Sequence, residues 1–291
     1  MKKILVTGAD GMLGTDLVRH LRKGPHIVLA ATIRSLDITD RDQVRRVLLS
    51  RRPGIVIHTA AYTAVDRAET ERELCMAVNH EGTKNIALSC REIGAELIYI
   101  STDYVFDGKK RTPYVETDTP RPINVYGVSK WLGEEAVRTL VERHKICRSS
   151  WLIGLHGVGG MNFVEKILHA ASAGNVLRVV DDQIGRPTFT FDFAHLLERV
   201  MGLHERGIFH LTNTGECSWY DLARCVLEMS GRSDVEIVPV SSTEYQAAAR
   251  RPANSLLNSP RLESLGISPL RHWREALRDY FIRRKKSGKK D

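Results

Sequence analysis

Tyr126 and Lys130 stand four residues apart in YGVSKWLGEEA, an otherwise helix-favouring run. On a helix that spacing puts a phenol and an ammonium one turn apart on the same face. A free phenol, with a pKa of about 10, exchanges protons poorly near neutrality. A neighbouring cation favours the phenolate and lowers that value. Tyr126 is therefore a candidate general acid, able to give a proton to a carbonyl oxygen. The same pair also decorates ordinary helix surfaces, so the chemistry depends on what else the chain offers.

It offers a glycine motif. TGADGMLG sets Gly8, Gly11 and Gly14 directly after an apolar run and ahead of a helical pattern. The first glycine permits a tight turn, the second lets backbone approach a pyrophosphate, and the third lets helix pack on strand. GxxGxxG is one residue longer than GxGxxG, and three glycines alone could be a flexible turn. The strand–turn–helix setting points to a dinucleotide. A nicotinamide cofactor then completes the reading: hydride arrives at carbon while Tyr126 protonates oxygen. Lys130 would lower the tyrosine pKa, with the positive oxidised ring assisting, and would hold the nicotinamide ribose.

Other residues fit around this pair. The second strand ends in LAATIRSLDITD, with no acid at Ala31 or Thr32 to hold an adenosine ribose. Arg34 could receive a 2′-phosphate or be an exposed loop residue, and Asp37 and Ile38 could flank the adenine. The choice between NADH and NADPH stays open, with a lean to NADPH. Ala60 and Ala61 end an apolar run with side chains small enough for a cofactor to lie on the backbone; tight helix packing asks for the same residues. Thr102 and Asp103 follow another apolar run, where parallel strands end and ligands bind. A hydroxyl there can hydrogen-bond a substrate carbonyl, although Thr-Asp is also a common strand-end turn.

The elements that must position these groups are readable. KILVTG, HIVLAAT, GIVIHTAA, AELIYIST and HKICRSSWLIG read as strands. Between them come MLGTDLVRHLRK, with Leu13, Leu17, Val18 and Leu21 on one side, RDQVRRVLLSRR, ended by Pro53 and Gly54, and AVNHEGTKNIALSCREIG, stopped at Gly94. Continuous apolar strands alternating with helices predict an α/β fold: a doubly wound parallel sheet covered on both faces, the Rossmann arrangement, over residues 1–153. From 154 to 282 the alternation weakens into short strands, turns and two helical patterns. That predicts a smaller, mixed α/β substrate-binding lobe, with some segments returning to the first sheet.

Composition bounds the function. With 42% hydrophobic and 27% charged residues the chain reads as an ordinary globular protein. No apolar run approaches the roughly 18 residues of a membrane span. The opening MKKILV has an apolar run too short for a signal peptide. Five cysteines, Cys75, Cys90, Cys147, Cys217 and Cys225, are scattered without CxxC spacing, which predicts a reducing cytoplasm and no disulfide framework. The net charge of +8 is concentrated in the tail RRKKSGKKD, residues 283–291, expected to be disordered and solvated. No aromatic-plus-basic motif accompanies it, so nucleic acid is not the expected partner.

Taken together, GADGMLG, AAYTAVDRAE, STDYVFDG, YGVSKWLGE, SSWLIG, DQIGRPT and RRPANSLL cover nearly the whole chain. In this order they resemble the dTDP-4-dehydrorhamnose reductase family of the extended short-chain dehydrogenase/reductase superfamily. The Tyr-x-x-x-Lys pair is common to the superfamily; STDYVFDG and RPANSLL are more specific to this branch. The resemblance implies NAD(P)H-dependent reduction of the C4 ketone of dTDP-4-dehydro-L-rhamnose to dTDP-L-rhamnose, for surface polysaccharide. It implies Thr102, Tyr126 and Lys130 as the catalytic set. Gly11, Met12 and Leu13 would follow the cofactor loop, and Ala60, Ala61 and Tyr62 would lie along the cofactor. Thr102, Asp103 and Trp151 would touch the sugar, and Arg186, Arg251 and Asn254 would face the diphosphate, where guanidinium groups suit phosphate geometry. Some members carry a histidine at Tyr62, and a glutamate at Asp16 that helps bind Mg²⁺ at a homodimer interface. The shorter Asp16, with no other ligand legible, leaves Mg²⁺ and that homodimer as open expectations.

Two other readings compete. A sugar-nucleotide epimerase or dehydratase shares the motifs, but a dehydratase would usually follow the threonine with Asp-Glu, and here Tyr104 follows Asp103. A non-catalytic regulatory subunit could keep the fold, yet it would have no need of Thr102, Tyr126 and Lys130.

Overall fold

The first strand, Lys3–Thr7 (β1), buries four consecutive residues, which only a strand covered on both faces requires. It pairs in parallel with Ile27–Ala31 (β2) on one side and Ile55–His58 (β3) on the other. Glu96–Thr102 (β4), His144–Ser149 (β5) and the strand Gly207–His210 extend the sheet beyond β3, again in parallel. Strand order therefore runs Gly207–His210, β5, β4, β3, β1, β2, and reverses direction at β1. The computed structural model describes residues 1–158, 161–174 and 176–288.

Alternate residues of these strands feed two cores. Ile4, Val6, Ile57, Ile98 and Ile100 meet Leu13 and Leu17 of helix Met12–Leu21 (α1) and Phe193 and Leu197 of helix Thr190–Met201. Leu5, Val56, Leu97 and Tyr99 meet the opposite layer. That layer is built from Arg41–Arg51 (α2), Thr83–Ile93 (α5) and Val125–Leu140 (α6). The short helices Val65–Ala68 (α3) and Arg72–Met76 (α4) lie between β3 and α5. This is the doubly wound parallel sheet expected.

A third core gathers Leu168, Val179, Phe189, Leu222, Val226, Trp273 and Tyr280. Around it stand three two-stranded pairs and the helices Phe163–Ser172, Trp219–Met229 and Trp273–Lys286. The strand Gly207–His210 comes from this later stretch of chain and closes the edge of the first sheet.

Two expectations need correction. AVNHEGTKNIALSCREIG is not one α-helix: Ala77–Gly82 is a wider π-turn leading into α5. Such a bulge re-aims side chains and recurs at functional sites. The tail expected to be disordered from Arg283 is helical through Lys286, because Arg284 is buried and paired with Glu165. Residues 289–291 lie outside the described residues.

Candidate active site

Ligands of such sheets bind beyond the strand carboxyl ends, where strand order reverses. At the end of β1, Gly8 adopts φ +62°, and a Cβ on it would come within 2.8 Å of the Ala60 backbone. Gly11 caps α1 with no side-chain acceptor, which leaves the first-turn amides of Met12 and Leu13 free to meet an anion. Gly14 is buried against the Gly8–Ala9 backbone. Val158 donates its N–H to the Asp10 carbonyl at 2.8 Å and so brings a later loop over the glycine turn. Ala60 and Ala61 follow β3 as the facing wall. This cradle fits a dinucleotide pyrophosphate.

Beside it, the Tyr62 backbone N–H donates to Asn79 Oδ1 at 2.8 Å and its hydroxyl to Glu71 at 2.6 Å. Arg34 is exposed in the loop after β2. Asp37 spends its carboxylate on the amide and hydroxyl of Thr39, and Ile38 is a core residue packed beside Gly82. Arg34 alone of these three thus presents a free-standing side chain to a ligand.

α6 starts at Asn124, whose side chain caps the N–H of Gly127. Tyr126 is half-buried in the first turn, its ring edge-on to Tyr104 at 5.8 Å. Lys130 is buried one turn below it. Thr102, at the end of β4, lies within hydrogen-bonding reach of the Tyr126 phenol, and its hydroxyl donates to Asp103 at 2.8 Å. Asp103 is buried, and its second carboxylate oxygen has no hydrogen-bond partner among the described residues. Burial pushes the Asp103 carboxyl up to about 7, against the pull of the Thr102 hydroxyl.

The expected lowering of the phenol pKa by Lys130 is absent from the free protein. Burial drives the Tyr126 phenol upward, and the Thr102 hydrogen bond offsets only part of that. The Lys130 ammonium is engaged elsewhere, donating to the Ile100 carbonyl and lying over the Tyr99 ring. Lys130 is itself lowered to about 7 by burial, with Glu134 opposing.

The substrate-side candidates divide. Trp151 follows β5 with φ 46°, a costly conformation for a bulky residue, and stacks on Trp219 at 3.5 Å. Arg251 is gripped by Asp66 through both nitrogens, at 2.9 and 2.7 Å. Arg186 donates to the Leu257 carbonyl at 2.5 Å while its Nε is buried without a partner. Asn254 is occupied: its amide donates to the carbonyls of Lys110 and Thr112, and its oxygen accepts from Leu256. It fastens the 108–112 loop and has no group left for a phosphate.

Asp16 accepts the hydroxyl of Thr190. Among the described residues no group of three or more His, Cys, Asp or Glu side chains is arranged to hold a metal ion.

Sequence reasoning passed over Tyr99, which Lys130 overlies, and Asn79, which joins the Tyr62 backbone to the Ser129 hydroxyl beneath α6. It also passed over Asp66 and Asn124. Only Asn124 carried a local signal, an N-cap residue ahead of a helical run.

Comparison with known proteins matches this geometry. The family model described as the RmlD substrate binding domain fits residues 1–285. A dTDP-4-dehydrorhamnose reductase of Streptomyces griseus is 42% identical over 95% of this chain and 92% of its own. The chain belongs to the dTDP-4-dehydrorhamnose reductase family. A dTDP-4-keto-6-deoxy-D-glucose reductase of Streptomyces niveus is 40% identical over 95% of this chain and 96% of its own. A crystal structure of the Bacillus anthracis dTDP-4-dehydrorhamnose reductase in complex with NADP superposes with a TM-score of 0.93. It is 38% identical and covers 97% of this chain and 99% of that one. Membership in this reductase family makes the chain an NAD(P)H-dependent oxidoreductase of α/β fold.

Proposed function

We propose that this reductase converts dTDP-4-dehydro-L-rhamnose to dTDP-L-rhamnose with NADPH or NADH. The observation that carries the reading is the convergence of Thr102, Tyr126 and Lys130 beside the glycine cradle, on one edge of one sheet. The bound cofactor supplies the hydride that the C4 carbonyl carbon accepts. Tyr126 gives its proton to the carbonyl oxygen, and burial keeps the phenol in the protonated form a donor needs. Thr102 hydrogen-bonds the same oxygen once its one hydroxyl proton, held by Asp103 in the free protein, turns to the substrate. Lys130 spends one N–H on Ile100 and keeps two for the cofactor ribose.

We assign residues 1–153 to the cofactor and 154–282 chiefly to the nucleotide sugar. Trp151 and Asp103 face the sugar, and Arg251 and Arg186 the diphosphate. Five free, buried cysteines suit a cytoplasmic setting, where thiols stay reduced. No helix among the described residues is long and apolar enough to cross a membrane.

A second sugar is supported by one observation, the comparable similarity to the Streptomyces niveus reductase of dTDP-4-keto-6-deoxy-D-glucose, 40% against 42% identical. NADPH oxidation measured with each sugar nucleotide decides between them. Turnover of the rhamnose precursor should exceed that of the 6-deoxyglucose ketone. The reverse order replaces the substrate, and no oxidation with either rejects the reading.

A further inference from the structure

One buried side chain joins the catalytic helix to the strap that carries Arg251. Asn124 accepts the Gly127 N–H on its Oδ1 at 2.7 Å and donates from its amide nitrogen to the Arg250 carbonyl at 2.8 Å. Tyr126 is two residues after it, and Arg251 is one residue after the carbonyl it holds. The surroundings tighten the same junction. Glu69 accepts the N–H of Val125 at 2.9 Å, and Asp66 accepts the N–H of Ala249 at 3.0 Å besides both nitrogens of Arg251.

Capping a helix needs only an acceptor oxygen, which Ser, Thr or Asp supplies as well as Asn. The amide donor is the part of Asn124 that capping leaves over, and it goes to the strap. This part-buried hydrogen bond ties the Arg250 carbonyl to the cap residue, so the strap and the first turn of α6 are held in one register. We infer that Asn124 is a positioning residue that couples the seating of a nucleoside diphosphate on Arg251 to the placement of Tyr126. The coupling rests on Arg251 as the diphosphate residue. A diphosphate competes with Asp66 for the guanidinium, and any shift of residues 249–251 then reaches the first turn of α6 through this amide. Tyr104, edge-on to Tyr126 and within hydrogen-bonding reach of Arg251, lies along the same junction.

Asn124→Asp keeps the cap oxygen and removes the donor, and Asn124→Gly removes the donor without adding a charge and at little cost to the cap should the carboxylate disturb the fold. Two measurements test the proposal. Amide hydrogen exchange without nucleotide should rise about tenfold at residues 249–251 and stay unchanged at 127–128, the order expected for one lost hydrogen bond. Calorimetric affinity for dTDP should fall about five- to tenfold in Asn124→Asp, and the Asn124→Asp/Arg251→Ala double variant should bind no worse than Arg251→Ala alone. Unchanged exchange at 249–251, or losses that add in the double variant, would overturn the coupling. A wild type that fails to bind dTDP would instead reject the proposed function, and the exchange measurement would still decide the tie.

Discussion

The ammonium of Lys130 donates to the Ile100 carbonyl at 2.7 Å and lies 4.1 Å from the centroid of the Tyr99 ring. Lys130 is thus held by the strand that ends two residues later in Thr102, so this contact helps fix the helix that carries Tyr126 against the strand that carries Thr102.

That burial has a consequence in pH. It lowers Lys130 to about 7, so the folded protein loses the ammonium as pH rises through that value. Cofactor affinity in the free enzyme should be strongest near pH 6 and decline several-fold by pH 8.5. Lys130→Met should bind weakly and without pH dependence over this range. Fluorescence titration with NADPH measures both; a flat wild-type profile would remove Lys130 from the cofactor site.

Tyr126→Phe removes the proton donor and keeps the ring that packs against Tyr104. General-acid catalysis is worth roughly 10²–10⁴-fold, so kcat should fall by that order while the Kd for NADPH stays within about twofold. Turnover within about threefold of wild type would assign the proton to another group.

Asp103 makes a prediction about stability. Its carboxyl is raised from its ordinary value to about 7 by burial. The folded chain then holds a proton that the unfolded chain has released, so stability is lost as pH rises from about 4 towards 7. Asparagine does not titrate and avoids the loss. The Tm of Asp103→Asn relative to wild type should therefore be higher at pH 8 than at pH 4, by several degrees on the usual scale. Calorimetry at the two pH values checks it; an equal difference at both would mean that Asp103 ionises normally.

The parts of this site legible in the sequence were those set by local rules. The glycine turn, Thr102 at the end of β4 and Ala60 just past the end of β3, and the Tyr126–Lys130 spacing all follow from short-range geometry. What stayed hidden depends on partners far along the chain. Asn254 is used up by the carbonyls of Lys110 and Thr112, and Arg251 is held by Asp66. The aim of Lys130 towards Ile100 is equally a tertiary fact. The π-turn at Ala77–Gly82 was missed because its residues keep an ordinary helical pattern while Asn79 is drawn inward to Tyr62 and Ser129.

Arg34 should set the cofactor preference. No carboxylate ends β2 to hold a ribose 2′-hydroxyl or to repel a 2′-phosphate, since Ala31 and Thr32 stand there. Arg34 follows within a few residues, exposed, and with its side chain outside the core. Asp37 sits nearby, but its carboxylate is bound to Thr39. Both NADPH and NADH should therefore support reduction, with NADPH preferred by about tenfold, the order expected of one charge-assisted contact at an exposed site. The preference should shrink with added salt, because screening acts on exposed pairs. Arg34→Ala should raise the KM for NADPH to that for NADH and leave the NADH KM and both kcat values unchanged. An unaltered NADPH KM in the variant, or strict use of NADH by the wild type, would make Arg34 a solvated loop residue.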